Sequence, residues 1–209
     1  MSITLYGEAL HSDAVRVHLR DADGGLSPLP AARWRELDEV DVALLDRLSG
    51  WTLDVGCGPG RFVSGLAARG IPVLGIDIAP AAVSLTRGGG GLALRRDVFG
   101  PVPGEGRWRW LLLVDGNIGI GGDPLRLLRR ARELLADDGR VLVEVEGPGC
   151  ARPGQQVRLE HGTRIGPWFP WAWVSVDELP PLATAAGLSV TDAWTEGGRW
   201  FGELVPSCS

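Results

Sequence analysis

An apolar strand that ends in an acid, passes through glycines at alternate positions and then starts a helix constrains this chain more than any other feature. The run is Leu53-Asp54-Val55-Gly56-Cys57-Gly58-Pro59-Gly60-Arg61. A strand that stops in a glycine turn lets a ligand approach backbone with no side chain in the way. The helix that follows offers unpaired N–H groups to a polar ligand. A second apolar run, Val73-Leu74-Gly75-Ile76, ends in another acid, Asp77.

The same alternation continues downstream. The pattern predicts strands at 52–55, 73–76, 92–94, 110–114 and 141–145. It predicts helices at 61–68 and 80–87, each closed by glycine, and a helix from Asp123-Pro124, where Asp caps and Pro fits the first turn. That last helix buries Leu125, Leu127, Leu128, Ala131, Leu134 and Leu135, and turns Arg126, Arg129, Arg130 and Arg132 to solvent. Asp138-Gly139 closes it. Apolar strands alternating with helices imply an α/β doubly wound, mostly parallel sheet covered on both faces. In such sheets ligands sit beyond the carboxyl ends of the strands. Asp54, Asp77, Asp97 and Asp115 all fall at those ends, where they suit a ligand rich in hydroxyls and amines.

Around this core, at 51–146, the chain divides into an N-terminal cap (1–50), an insertion rich in Gly, Pro and Trp after the fifth strand (147–176), and a C-terminal helix with an antiparallel strand pair (177–209). The cap contains a possible hairpin around Asp23-Gly24-Gly25 and a helix from Arg33 to Leu48 ended by Gly50. All are read as one domain.

The glycine turn followed by Asp77 resembles motif I and the ribose-binding acid of the class I S-adenosylmethionine-dependent methyltransferases. The resemblance implies that Gly56, Cys57, Gly58, Pro59, Gly60 and Arg61, with Asp54 ahead of them, wrap the amino-acid part of the cofactor. It implies that Asp77, with Ile78 beside it, accepts from both ribose hydroxyls, as a carboxylate can. Asp97 and Val98 fall at the adenine. Asp115, Gly116 and Asn117 fall near the methionine and the transferred methyl. It implies an in-line displacement onto an oxygen or nitrogen of an acceptor, in which alignment matters more than chemical assistance; the modest size of the chain favours a small molecule or a peptide as that acceptor. No catalytic residue follows from the resemblance.

A nicotinamide fingerprint, G-x-G-x-x-G, competes for the same turn, but its third glycine falls at Arg61. A cofactor-binding sensor or accessory protein without methylation activity is a further reading. Asp97 reads equally as a turn residue, and Asp115 as a base, a cofactor contact or a turn former. Trp168, Phe169, Trp171 and Trp173 read as the wall of an acceptor pocket or as anchors of the insertion. His161 reads as a proton acceptor or a surface residue. Glu144 and Glu146 alternate along a strand end and so point the same way. Tyr6 and Trp34 either close over the cofactor or pack. The glycine-rich stretch 116–122 suggests close backbone approach to a ligand, a mobile gate or simply a flexible connection.

Bulk properties fit these readings. The 209 residues are 44% hydrophobic and 22% charged, with a formal net charge of -5, which argues against nucleic acid as partner. No apolar run approaches membrane-spanning length and none reads as a signal peptide. Three widely spaced cysteines suggest neither a metal site nor a disulfide framework, so a cytoplasmic location is expected.

Overall fold

In a computed structural model, residues 3–12 and 14–207 are described; Cys208 lies outside them. The chain runs α1 (Ile3–His11), β1 (His18–Asp21), β2 (Leu26–Pro28), a 3-10 turn (Ala31–Trp34), α2 (Glu39–Leu45), β3 (Thr52–Val55), α3 (Arg61–Ala68), β4 (Val73–Asp77), α4 (Pro80–Gly88) and β5 (Ala93–Arg95). It continues with β6 (Trp108–Leu113), a second 3-10 turn (Asn117–Gly122), α5 (Pro124–Leu134), β7 (Leu135–Val145), β8 (Arg152–His161), β9 (Arg164–Ile165), β10 (Phe169–Trp173), α6 (Leu179–Ala185), β11 (Leu188–Glu196) and β12 (Arg199–Pro206).

Seven strands form the main sheet in the order β11-β12-β7-β6-β3-β4-β5. All neighbours from β7 to β5 are parallel, and β12 runs antiparallel between β7 and β11. The strand order reverses between β3 and β6, so a crevice opens above their carboxyl ends. All four β3 residues are buried, as a strand covered on both faces requires. One face carries Phe62, Val63 and Leu66 of α3; the other carries Leu127, Leu128, Ala131 and Leu134 of α5. α5 starts where the sequence predicts, with the Asp123 carboxylate accepting from Arg126 N–H at 2.9 Å and Pro124 in the first turn.

Four local expectations change. The helix expected over Arg33–Leu48 is split, because Asp38 caps a new helix: its carboxylate accepts from Asp41 N–H at 2.7 Å, and Asp41 answers the Asp38 N–H. Leu135 belongs to β7 rather than α5, and Leu125 is only partly buried. Between Trp108 and Trp110 the β6–β7 register jumps from Leu135 to Arg140, so Asp138-Gly139 bulges out of a strand instead of joining helix to strand. Arg130 does not simply face solvent. It donates to the Val98 and Gly100 carbonyls at 2.9 and 2.8 Å and pins that loop to α5.

The N-terminal hairpin and the insertion meet over the sheet's carboxyl edge. β10-β8-β1-β2 is one antiparallel sheet, with β9 added along β8. Leu19 faces Leu159 across β1 and β8, and Phe169 faces Val157 across β10 and β8. Leu159 and Val157 are buried, while Arg20, Arg158 and Glu160 form a salt-bridged cluster on the opposite side. The two segments thus make a single lid. Among the described residues no helix is long and apolar enough to cross a membrane.

Candidate functional site

Between lid and sheet lies a cavity of about 670 Å³, well within the usual range of small-molecule sites. Its floor is the glycine turn after β3. Gly56, Gly58 and Gly60 have φ of 73°, 54° and 91°, a region that side chains disfavour. The turn is clamped from several sides. Gly56 and Cys57 N–H both donate to the Ile76 carbonyl. Asn117 Nδ2 donates to the Val55 and Gly56 carbonyls at 2.8 and 3.2 Å. Thr86 Oγ1 donates to the Gly58 carbonyl at 3.0 Å. A Cβ on Gly56 would lie 2.8 Å from Asn117 Nδ2, and one on Gly60 would lie 2.6 Å from Thr86. Cys57 is buried against Gly75, where only a small side chain fits. Burial pushes its thiol up and keeps it neutral.

At the end of β4, Asp77 is buried yet lines the cavity. One oxygen accepts from Gly58 N–H at 3.1 Å and the other from Ala79 N–H at 2.8 Å. Each keeps lone-pair capacity for a further donor. Burial raises its pKa, against the pull of those backbone N–H groups. Asp97 is exposed at the rim, with one oxygen on Phe99 N–H at 3.0 Å, and it lines the cavity together with Ile78, Val98 and Phe99. Tyr6 and Trp34 reach the same cavity from the N-terminal cap, their rings 6.1 Å apart. Burial and the Asp77 charge push the Tyr6 phenol up.

Asp54 and Gly60 lie behind the turn, outside the cavity lining. Asp54 is buried, and its Oδ2 has no hydrogen-bond partner among the described residues. Burial pushes its pKa up to about 7, against the Arg61 charge.

At the next strand end the chemistry is ionic. Arg61, which begins α3, grips Asp115 with two nitrogens, at 2.7 and 2.9 Å, and donates from Nε to Asp41 at 2.7 Å. Arg199, on β12, holds Glu144 at 2.9 and 2.8 Å and reaches Asp41 at 2.8 Å. Glu144 accepts in turn from Asp115 N–H at 2.7 Å. Asp115 sits at φ 58°, the only non-glycine residue with positive φ among those described. Arg33 stands at the edge, 3.9 Å from Asp115 and 4.0 Å from Glu144. Burial alone would raise the Asp41 pKa, but Arg61 and Arg199 outweigh it and hold the carboxyl below its ordinary value. The guanidiniums of Arg61 and Arg199 are likewise raised against their own burial, by Asp115 and Asp41 for the first and by Glu144 and Asp41 for the second.

The structure therefore gathers Gly56, Cys57, Gly58, Pro59, Arg61, Asp77, Ile78, Asp97, Val98, Asp115, Gly116 and Asn117 around one cavity. Phe169 and Trp171 join them from the lid. Trp168 and His161 are not brought there. Trp168 is 43% exposed beneath the Arg158 guanidinium, and His161 donates from Nδ1 to the Arg16 carbonyl at 2.8 Å on the exposed side. Sequence reasoning missed Asp41, Arg33, Arg152 and Arg199. Asp41 alone carried a signal, as an acid three residues after a helix-capping aspartate.

Comparison with known proteins gives a consistent picture. The family model described as a methyltransferase domain matches residues 32–192. A stretch of 67 residues is 43% identical to a ubiquinone biosynthesis O-methyltransferase of Xanthomonas oryzae pv. oryzae, covering 32% of this chain and 28% of that protein. A protein of the same name from Alkalilimnicola ehrlichii is 36% identical over 80 residues, 38% of this chain and 32% of that one. The matches thus span under a third of these relatives' length. Among solved structures, a Bacteroides fragilis SAM-dependent methyltransferase in complex with S-adenosyl-L-homocysteine superposes with TM-score 0.83 at 19% identity, over 99% of this chain and 94% of that one. The 1,6-didemethyltoxoflavin-N1-methyltransferase of Burkholderia thailandensis superposes with TM-score 0.57 at 20% identity, over 79% and 76%.

Proposed function

Since this chain belongs to the methyltransferase-domain family, among the class I S-adenosylmethionine-dependent methyltransferases, we propose that it methylates an oxygen or nitrogen of a small-molecule acceptor enclosed beneath the lid. The observation that carries the reading is the juxtaposition of a side-chain-free glycine turn with the buried Asp77 in one covered cavity.

The residues fit S-adenosylmethionine. Asp77 offers a free lone pair on each oxygen to a ribose diol while the Gly58 and Ala79 N–H groups fix its orientation. Asp97 and Val98 border the place for adenine, and the Gly56–Gly58 backbone that for the amino-acid end. The Asp54 oxygen without a donor suits a nearby ammonium, reached through the turn rather than across open cavity. The bound cofactor supplies a methyl group on a sulfonium, an electrophile whose leaving group is a neutral thioether.

The protein's own share is alignment and the exclusion of water. With both oxygens taken by Arg61, Asp115 acts as a brace of the fourth strand end and not as a base. Asn117 holds the glycine turn at its working height. The lid strands close the acceptor's side with Phe169 and Trp171, an apolar wall for a flat or apolar acceptor. The O-methyltransferase names of the curated relatives favour oxygen, and the toxoflavin-type neighbour shows that the fold also serves nitrogen.

Calorimetry tests the reading. S-adenosylhomocysteine should bind tightly and NAD weakly or not at all. Binding of NAD without S-adenosylhomocysteine would replace the reading with a nicotinamide enzyme. Tight S-adenosylhomocysteine binding without methyl transfer to any acceptor would favour a sensor or accessory protein.

A further inference from the structure

Glu144 and Glu146 share one side of a strand end but have opposite fates. Both oxygens of Glu144 are held by Arg199. Glu146, just past β7, is fixed by its backbone: its N–H donates to the Val174 carbonyl at 2.8 Å and its carbonyl accepts from Val176 N–H at 2.9 Å. Its half-buried side chain lines the cavity, and its carboxylate has no hydrogen-bonded or ion-paired partner among the described residues. Trp171, Trp173 and Trp200 line the same cavity. The Arg152 guanidinium, at the start of β8, lies 4.1 Å from the centre of the Trp173 ring. It too lacks an ion-paired carboxylate among the described residues.

We propose that Glu146 takes the proton from the attacking hydroxyl of a flat, ring-bearing acceptor seated against the aromatic rings of the same cavity wall, Trp171, Trp173 and Trp200. This rests on the methyltransferase reading and narrows its acceptor. In the step, the acceptor oxygen keeps the O–H electron pair and bonds the transferred methyl. The C–S pair stays on sulfur, which becomes a neutral thioether, and the proton moves to a Glu146 oxygen and later to water. A half-buried, unpaired carboxylate inside a cavity is suited to this work. Burial raises the Glu146 pKa, the nearby Arg152 charge opposes the rise and Glu144 adds to it. The other charged groups lining the cavity are Arg199 of β12 with its partner Glu144, Arg33, and Arg61 with Asp115 at the neighbouring strand end, and Asp77, Arg96 and Asp97 near the end of β4.

The test uses catechol and 2-naphthol as acceptor probes with S-adenosylmethionine, between about pH 5 and about pH 9, below the ordinary phenol range. In the wild type kcat/KM should rise through the Glu146 midpoint and level off. Glu146→Gln should lose that limb and at least about a hundredfold in rate, with S-adenosylhomocysteine affinity retained as evidence of folding. Arg152→Gln should move the limb to higher pH, because it removes the cation that favours the carboxylate. Carbon-13 NMR of the Glu146 carboxyl, in the S-adenosylhomocysteine complex, should show the same ordering of midpoints without any turnover. Transfer to neither probe, a limb that survives in Glu146→Gln, or an ordinary carboxyl midpoint in both proteins would overturn the proposal while leaving the methyltransferase reading intact. Failure of the wild type to bind S-adenosylhomocysteine would overturn both.

Discussion

Asp77 and Asp54 are buried acids beside the same turn, yet they do different physical work. Asp77 spends one lone pair per oxygen on backbone N–H groups and keeps the rest for a ligand. Asp77→Ala should therefore weaken S-adenosylhomocysteine binding by about 1–3 kcal/mol, the cost of leaving buried hydroxyls unpaired; unchanged affinity by calorimetry would remove Asp77 from the site. Asp54 holds a charge that burial disfavours, with its pKa pushed up to about 7. A carboxyl whose folded pKa exceeds its unfolded value of about 3.9 costs stability as pH rises between the two values, and the full cost is present above the higher one. Ligand-free Asp54→Asn should accordingly gain stability over the wild type at pH values above about 7, and the gain should shrink on acidification. Thermal unfolding at several pH values checks this, and a pH-independent difference would contradict it. Both acids were visible in the sequence because each closes an apolar run. Their division of labour was not, since it depends on whether Gly58, Ala79 or nothing faces each oxygen.

Among the elements, the parallel strands and their helices were legible because each announces itself locally, by an apolar run, a capping Asp123-Pro124 or a closing glycine. The lid was not. Its sheet joins β1 to β8 through pairs such as Leu19 with Leu159, and no local pattern reports a partner so far along the chain. The aromatic cluster was legible as composition but not as direction, so Phe169 and Trp171 face the cavity while Trp168 does not. The glycine-rich stretch at 116–122 proves to be where lid and sheet touch. A Cβ on Gly119 would overlap the Ala172 carbonyl oxygen and lie 2.7 Å from Trp171 Nε1. At Gly119 the close approach is thus to the lid backbone and not to a ligand. Gly119→Ala should cost about 1–3 kcal/mol and loosen β10 from the second 3-10 turn. Faster hydrogen exchange at 169–173 would report the loosening, and wild-type protection there would contradict this account of the contact.

Across the whole molecule, Arg61 and Arg199 tie α2, α3, β6, β7 and β12 together through Asp41, Asp115 and Glu144. Arg199 and Asp41 stand 158 residues apart, which is why their pairing was not legible in the sequence. The pairing fastens the N-terminal segment to the end of the sheet, and with it the part of the cavity lined by Tyr6 and Trp34. Arg199→Met leaves Glu144 without its hydrogen-bonded cation and Asp41 with Arg61 alone, and should cost about 3–5 kcal/mol, as breaking a buried pair does; denaturant unfolding reads the loss. Because the Asp41 pKa is depressed, its contribution is present above the ordinary carboxyl value of about 3.9 and is lost as pH falls through the lower, folded value. Turn, brace and lid all converge on the claim that this cavity is built for an adenosyl-sulfonium and a small acceptor. The most direct test is a crystal structure of the protein grown with S-adenosylhomocysteine. The ribose hydroxyls should lie on Asp77 and the amino-acid end against Gly56–Gly58 under the lid, whereas ligand density elsewhere, or none at a saturating concentration, would contradict the account.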